Sequence, residues 1–204
     1  RYALVVELGY SRLLWFKFYP RQTMAVLMAG LEEAFAAFGG VPRELLFDQL
    51  KAVIVEDERM SGGKLLENAQ FQRFAAHWGF RIRACRPYRA KTKGKVERPI
   101  GYVRQAFFYG REFVSDADLT GQWMTWQEQT ANRRLHRTVG ESPQARFMRD
   151  ERAQLQSLAA HPYRPPSAVD SLPGPPRPAR PAAYTPKVEQ RPLADYARMT
   201  GAQR

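Results

Sequence analysis

Strand-type and helix-type apolar patterns alternate along the first 108 residues, and their order leaves few folds open. Two β-branched and aromatic runs, residues 2–6 and 13–19, flank the turn sequence Leu8-Gly9-Tyr10-Ser11-Arg12 and predict an antiparallel hairpin. The elements predicted next are helices over 23–38, 68–78 and 95–108 and strands over 44–47 and 80–85. This β-β-α-β-α-β-α order predicts a mixed sheet covered by helices, because parallel neighbours require crossover connections.

Local signals support the ends of these elements. Thr23 is a typical N-cap, and the Gly39-Gly40 pair is typical of a helix end. Pro99 is compatible with the third helix if it lies in the first turn. Residues 118–160 have a helical pattern throughout, in which Trp123 and Trp126 are predicted to be core residues.

The last part of the chain has a different composition. Seven prolines occur between residues 165 and 181, which is too many for a helix or a central strand. We therefore predict three parts: a core over 1–115, a helical extension over 116–160, and a proline-rich linker or tail over 161–204.

Composition excludes several classes of protein. The longest apolar run, Met24 to Leu31, is far shorter than the roughly 20 residues of a membrane span. The single cysteine, Cys85, cannot form an internal disulfide, and the three histidines are too scattered for a zinc module. We expect a cytoplasmic, reduced protein without membrane association. The sequence begins inside a strand pattern without an initiator Met, so we also expect a fragment.

Positive charge is concentrated in one stretch. Residues 81–111 contain ten Lys or Arg and one acid, Glu97, and so carry nine of the twelve net positive charges. A run of charge is often only a solvated helix face, but this one-sided run is typical of a phosphate-contacting surface. The residues expected to contact DNA are Arg86, Arg89, Lys91, Lys93, Lys95, Arg98 and Arg104.

Two acids are candidate metal ligands because of their positions relative to the predicted strands and helices. Asp48 follows the predicted strand 44–47, and Glu97 stands at the predicted start of the third helix. Strand ends and helix starts are where ligands gather in open α/β sheets. Taken alone, Asp48 is better explained as a turn residue and Glu97 as a first-turn acid favoured by the helix dipole. A carboxylate among ten cations gains little as a surface ion pair, which favours a divalent cation beside a phosphodiester.

Four motifs resemble a known family. They are Leu8-Gly-Tyr-Ser-Arg12, Leu46-Phe-Asp-Gln-Leu-Lys51, Lys91-Thr-Lys-Gly-Lys-Val-Glu-Arg-Pro-Ile-Gly-Tyr-Val-Arg104 and Asn132-Arg-Arg-Leu-His-Arg-Thr-Val-Gly-Glu-Ser-Pro143. Together, and in this order, they resemble the catalytic core of IstA-type insertion-sequence transposases, which belong to the DDE transposase and retroviral-integrase superfamily. The resemblance covers about residues 1–150.

The resemblance implies a fold and an activity. It implies an RNase H-like mixed sheet flanked by helices, followed by a helical segment and a proline-rich tail. It also implies Mg²⁺- or Mn²⁺-dependent cleavage and strand transfer of DNA during transposition. The implied partners are transposon-end and target DNA, further copies of the chain on that DNA, and an IstB-type ATPase, in the nucleoid region of the bacterial cytoplasm.

Residue by residue, Asp48 matches the second acid of the family's triad and Glu97 matches the third. The first acid of the family lies on the strand before the hairpin, and that strand is not in this chain. Glu7 lies within the hairpin and does not match that acid. Two functions therefore stay open: a strand-transferase core lacking its first catalytic Asp, and a non-catalytic DNA-binding remnant or regulatory fragment.

Overall fold

The structure is a computed structural model that describes residues 1–48, 50–59, 62–85 and 90–165; of residues 90–93 and 95 it describes only the backbone. The chain divides into two units, Arg1–Pro165 and Pro166–Arg204. The second unit, with most of the predicted proline-rich tail, lies outside the described residues.

The described elements alternate much as the sequence pattern predicts. The strands are β1 (Tyr2–Glu7), β2 (Leu14–Tyr19), β3 (Glu44–Phe47), β4 (Ile54–Asp57), β5 (Leu65–Glu67) and β6 (Arg81–Ala84). The α-helices are α1 (Met24–Phe38), α2 (Ala69–Trp78), α3 (Ala90–Tyr102), α4 (Asp116–Trp126) and α5 (Pro143–Arg146). Three π-helical turns (Val103–Phe108, Gln127–Ala131, Phe147–Glu151) and one 3₁₀ turn (Arg152–Gln154) follow α3, α4 and α5.

The predicted hairpin is confirmed. Strands β1 and β2 pair antiparallel over six residue pairs, from Tyr2 opposite Tyr19 to Glu7 opposite Leu14. In the turn, Arg12 has a positive φ of 65°, and the buried Ser11 hydroxyl accepts a hydrogen bond from the Leu13 N–H at 3.1 Å. The side chain of Ser11 thus stabilises a conformation that a non-glycine residue rarely adopts.

The first two predicted helices are also confirmed, together with their caps. The Thr23 hydroxyl accepts from the Val26 N–H at 3.3 Å, and the Asn68 carboxamide caps α2 in the same way. Gly39 and Gly79 end the two helices in the left-handed conformation, with φ of 72° and 75°. These local signals fix where each helix begins and ends.

The strands after α1 form a parallel pair and a second hairpin. Strands β3 and β6 are parallel and in register from Glu44 opposite Arg81 to Phe47 opposite Ala84. Strands β4 and β5 form an antiparallel hairpin that the sequence did not indicate. Within the described residues, hydrogen bonding defines three two-stranded sheets, β1–β2, β3–β6 and β4–β5, where a single mixed sheet was expected.

The prediction of an unbroken helical pattern over 118–160 was wrong. Helix α4 and its π-helical turn end at Ala131, a loop occupies 132–142, and helical structure ends at Gln154. Gly140 has a φ of 72° in that loop, and Ser142 and Pro143 start a new helix, with the Ser142 hydroxyl accepting from the Ala145 N–H. Because Pro143 cannot donate within a continuous helix, the chain must restart there.

Two apolar cores hold the domain together. One lies between α1, α2 and the strands and contains the fully buried Phe35, Phe71 and Phe74. The other is aromatic and centres on Phe16 of β2, whose ring lies 5.6 Å from that of Trp123 and 5.8 Å from that of Trp126. Both tryptophans are buried, as the sequence predicted.

Residues 155–163 cross back over the first core. The backbones of Val41 and Gln156 exchange two hydrogen bonds, of 2.8 and 2.9 Å. The Glu32 carboxylate accepts from the Tyr163 N–H at 2.7 Å and from the indole N–H of Trp78 at 3.1 Å. This return segment therefore packs with α1 and α2.

Candidate active site

Asp48 lies at the carboxyl end of β3, beside the end of β6. The Cys85 N–H donates to the carbonyl of Phe47 at 2.9 Å and so extends the pairing of the two strands by one residue. Asp48 is half-buried, and Cys85 is 2% exposed. The carboxyl ends of parallel strands meet at one sheet edge, which is where open α/β sheets bind ligands.

Glu97 lies on α3 and contributes to the electrostatics of the same region. The pKa of the Cys85 thiol is raised above its usual value chiefly by burial, then by the negative charge of Asp48, with a smaller contribution from Glu97. Asp48 and Glu97 are 49 positions apart in the sequence, and both contribute negative charge near the Cys85 thiol. Glu97 is solvent-exposed.

Glu97 does not lie at the start of its helix, where the sequence predicted it. Helix α3 begins at Ala90, so Glu97 lies in the middle of the helix and Pro99 lies inside it, not in the first turn. The helix was predicted to begin at residue 95, but residues 90–94 are already helical. Proline removes one N–H donor from the helix interior, and the remaining hydrogen bonds together with the burial of Pro99 keep the helix continuous.

A cation also lies at this edge. The Arg59 guanidinium donates to both carboxylate oxygens of Asp57 at 2.7 Å and to the carbonyl of Cys85 at 3.1 Å. Its positive charge lowers the pKa of the Cys85 thiol and so opposes the two carboxylates. Arg59, Asp57 and Cys85 were not among the site residues predicted from the sequence. Only the single cysteine drew attention in the sequence, and it gave no indication of the contact.

Carboxylates are the ligands that a hard divalent cation prefers, and Asp48 and Glu97 supply two. Within the described residues, no group of three or more His, Cys, Asp or Glu side chains is arranged to hold a metal ion. Mg²⁺ keeps several waters and is commonly bound by one or two carboxylates plus substrate phosphates, so this donor set fits one such ion.

The predicted DNA-contacting residues fall into three groups. Arg86 and Arg89 lie outside the described residues, and Lys91, Lys93 and Lys95 lie on α3 with only their backbone described. Arg98 is exposed on α3, and Arg104 is exposed in the π-helical turn that continues it. The helix that carries Glu97 therefore carries five of these seven residues on itself or its continuation.

The arginine-rich loop after Asn132 packs partly against α3. The Arg134 guanidinium lies 3.8 Å from the centroid of the Tyr102 ring and donates to the carbonyl of Ala131 at 2.9 Å. Burial lowers the pKa of His136, and the charges of Arg134 and Arg12 lower it further. Arg134 therefore has a packing role, whereas its neighbours Arg133 and Arg137 are exposed.

Glu7 belongs to the hairpin. Its carboxylate pairs with Arg12 at 3.3 Å, and its side chain is 17% exposed. Burial raises the pKa of Glu7, and Arg12 and Arg134 oppose that rise. The structure thus gives Glu7 a local partner within its own hairpin. Separately, no described helix is long and apolar enough to cross a membrane.

Comparison with known proteins identifies the family. Residues 1–90 match the integrase core domain family. A putative transposase of insertion sequence IS5376 from Geobacillus stearothermophilus is 43% identical over 143 residues, which is 70% of this chain and 35% of that protein. The transposase of IS21 from Pseudomonas aeruginosa is 37% identical over 155 residues, or 76% of this chain and 39% of the relative.

A third relative and one solved structure agree with these matches. The transposase of IS640 from Shigella sonnei is 36% identical over 143 residues, or 70% of this chain and 44% of the relative. The chain thus spans well under half the length of these three relatives. A chain of the simian T-cell lymphotropic virus intasome, solved with the PP2A regulatory subunit B56 gamma, has a similar fold. It aligns with a TM-score of 0.51 at 15% identity, over 73% of this chain and 54% of that one.

The intasome likeness concerns the fold, and it confirms the RNase H-like architecture expected from the motifs. The two transposase matches cover 70% and 76% of this chain. The chain therefore belongs to the DDE transposases of the retroviral-integrase superfamily.

Proposed function

We propose that this chain is the catalytic core of a transposase that cuts and rejoins DNA strands with Mg²⁺ or Mn²⁺ held by Asp48 and Glu97. The observation that carries the proposal is the position of Asp48 at the carboxyl end of β3, beside the end of β6, from which the chain leads into the helix that carries Glu97. These two acids, one after a strand and one on a helix, are proposed to act together at one sheet edge. The same helix carries the basic residues proposed to meet the DNA backbone.

The chemistry follows from the groups at that edge. A bound divalent cation would activate the attacking hydroxyl and stabilise the leaving oxygen of a phosphodiester. Asp48, half-buried at a strand end, would supply a positioned oxygen ligand, and the exposed Glu97 would supply a second from α3. The basic residues would neutralise phosphates and hold the strand in line with the carboxylates.

We further propose that a third carboxylate is contributed by a strand that pairs between β1 and β3. Within the described residues, β1 is paired with β2 only and β3 with β6 only, so each keeps one open edge. Both sheets pack on one apolar core that includes Val6 and Leu45, which suits a strand bridging them. A pair of metal ions about 4 Å apart needs such a shared ligand.

DNA contact is assigned to the segment from Arg86 to Arg104. In the sequence of this segment, one acid, Glu97, is flanked by seven cations: Arg86, Arg89, Lys91, Lys93, Lys95, Arg98 and Arg104. Their contacts are proposed to be with phosphates and therefore largely independent of base sequence. The proposed setting is the bacterial nucleoid, with several copies of the chain on transposon-end DNA and an IstB-type ATPase as partner; these last two rest on the motif resemblance.

The second candidate function is DNA binding without catalysis. It is favoured by the two-carboxylate donor set, since the described residues contain no group of three potential ligands. Both candidates predict a basic, salt-sensitive surface, so DNA affinity does not separate them. Metal-dependent cleavage of DNA separates the two candidates, because only the catalytic core is expected to show it.

The deciding experiment measures cleavage of transposon-end DNA by the parent transposase and by Asp48→Asn and Glu97→Gln variants. We expect each substitution to abolish Mg²⁺-dependent cleavage and to leave the Kd for DNA nearly unchanged, because each removes a metal ligand and no phosphate contact. Asp116→Asn, an exposed acid on α4, is the matched control and should cleave like the wild type. Wild-type cleavage by the Asp48 or Glu97 variant would support the non-catalytic alternative.

A further inference from the structure

The side chain of Arg59 connects the β4–β5 hairpin to the candidate active site. Arg59 follows β4, and its guanidinium reaches the carbonyls of Ala84 at 3.4 Å and of Cys85 at 3.1 Å. These two carbonyls are at the carboxyl end of β6, 25 and 26 residues further along the chain. An arginine that donates to successive carbonyls at a strand end restrains the backbone there.

The anchor of Arg59 is a buried acid. The Asp57 side chain is 7% exposed and accepts two parallel hydrogen bonds, from the Nε and the Nη2 of Arg59, both at 2.7 Å. This fork-to-fork geometry holds the guanidinium plane in one orientation, which lysine cannot reproduce. Asp57 also neutralises Arg59, so the arginine brings its donors to this edge without a net charge that would repel a cation.

A short series of bonds connects this pair to Asp48. Arg59 donates to the Cys85 carbonyl, the Cys85 N–H donates to the Phe47 carbonyl at 2.9 Å, and Phe47 is bonded covalently to Asp48. Beyond Cys85 the chain continues into the segment that leads to α3 and Glu97. Restraint at Cys85 therefore acts on the backbone next to Asp48.

We infer that Arg59, anchored by Asp57, is a positioning residue of the active site: it clamps the end of β6 against β3 and thereby sets the backbone that carries Asp48. The structural role of Arg59, holding the end of β6 against β3, rests on the hydrogen bonds alone. Its effect on catalysis rests in addition on the proposed function. Groups that hold metal ligands in place commonly change metal affinity or activity 10- to 100-fold when they are removed.

The structural arm of the test measures amide hydrogen exchange by NMR in the 204-residue chain and in Arg59→Lys, Arg59→Gln and Asp57→Asn variants. We expect the Cys85 N–H to exchange about tenfold faster in all three, the size of effect that follows from losing a charge-assisted hydrogen bond. The Phe80 N–H, which donates to Ala75 at the opposite end of β6, is the internal reference and should keep its rate. Arg81→Lys is the matched control, because Arg81 is an 80% exposed arginine on the same strand.

The catalytic arm places the same substitutions in the parent transposase and measures cleavage against Mg²⁺ concentration. We expect the Mg²⁺ concentration for half-maximal cleavage to rise about tenfold, with the Kd for DNA unchanged. An unchanged Cys85 exchange rate, or equal acceleration at Phe80, would overturn the inference whatever the cleavage rate. Faster exchange at Cys85 with an unchanged Mg²⁺ requirement would also overturn it. Failure of the proposed function is separate, since it would appear as cleavage by the Asp48→Asn variant.

Discussion

The side chain of Asn132 forms two hydrogen bonds with the backbone of Leu14, accepting from its N–H at 2.8 Å and donating to its carbonyl at 2.9 Å. The Asn132 carboxamide thus forms the pair of hydrogen bonds that the backbone of a neighbouring strand would form at the outer edge of β2. Gln127 extends the same arrangement by accepting from the Phe16 N–H at 2.7 Å. The segment after α4 therefore closes an edge that would otherwise expose unpaired backbone groups.

Replacing Asn132 by Ala is expected to destabilise the domain by about 2–4 kcal/mol, because it leaves a buried donor and a buried acceptor of Leu14 without partners. Urea denaturation followed by circular dichroism measures the loss. Arg133→Ala, at the exposed neighbouring position, should stay within about 0.5 kcal/mol of the wild type. Equal stability of the two variants would show that the edge of β2 does not depend on Asn132.

Glu7 is expected to make stability fall as pH rises. Burial raises its pKa above the ordinary 4.5, so the folded state binds more protons than the unfolded state above that pH. Stability linked to Glu7 is therefore fully present below pH 4.5 and is lost as pH rises through the raised pKa. The stability of Glu7→Gln relative to the wild type should increase over that window.

Chemical denaturation of both proteins at a series of pH values from 4 to 8 checks this sign. Glu128→Gln, at an exposed position, is the control and should differ from the wild type by a nearly constant amount. A relative stability of Glu7→Gln that decreases with rising pH would mean that the Arg12 ion pair outweighs the cost of burial.

Local signals account for the parts of the fold that the sequence predicted. Thr23, Asn68, Gly39 and Gly79 each act within one helical turn, so the ends of α1 and α2 can be predicted without the tertiary structure. The β4–β5 hairpin was missed because its strands have four and three residues and are partly polar. One of its ties to the rest of the domain is the long-range contact of Arg59.

The candidate site was predictable only in part, because some of its contacts join residues that are far apart in the sequence. The positions of Asp48 and Glu97 could be selected from strand and helix patterns and from the one-sided charge of residues 81–111. The involvement of Cys85 could not, because its burial near both carboxylates depends on how β3, β6 and α3 assemble. The start of α3 was misplaced since the basic run contains no clear capping signal.

The basic segment is expected to bind DNA through phosphates. If about six phosphates are neutralised, the affinity should fall about 10³-fold between 50 and 200 mM salt, because counterions are released on binding. Reversing the charges of Lys91, Lys93 and Lys95 together should weaken binding to unrelated DNA sequences equally and reduce the salt slope. Fluorescence anisotropy with two unrelated duplexes measures both effects.

The control for that triple variant must change the net charge by the same amount elsewhere. Arg21, Arg73 and Arg152 are exposed and lie outside the segment, so reversing all three provides this control. If the two triple variants lose affinity equally, the effect belongs to the overall charge of +12 and not to a localised surface.

Metal binding at Asp48 and Glu97 is expected to be detectable without any reaction. Mn²⁺ prefers the same oxygen ligands as Mg²⁺, and its unpaired electrons broaden NMR signals of nearby nuclei. Adding Mn²⁺ to the 204-residue chain should broaden the amide signals of Phe47 and Cys85 first, and excess Mg²⁺ should reverse the effect by competition. The broadening should weaken strongly in Asp48→Asn and in Glu97→Gln, since either substitution leaves a single carboxylate for an ion that binds through few protein ligands. Glu128→Gln removes an exposed acid from another part of the domain and should leave the broadening unchanged. Uniform broadening across the domain, or broadening that persists in both Asp48→Asn and Glu97→Gln, would place the cation elsewhere and remove the basis for a metal-dependent reaction at this edge.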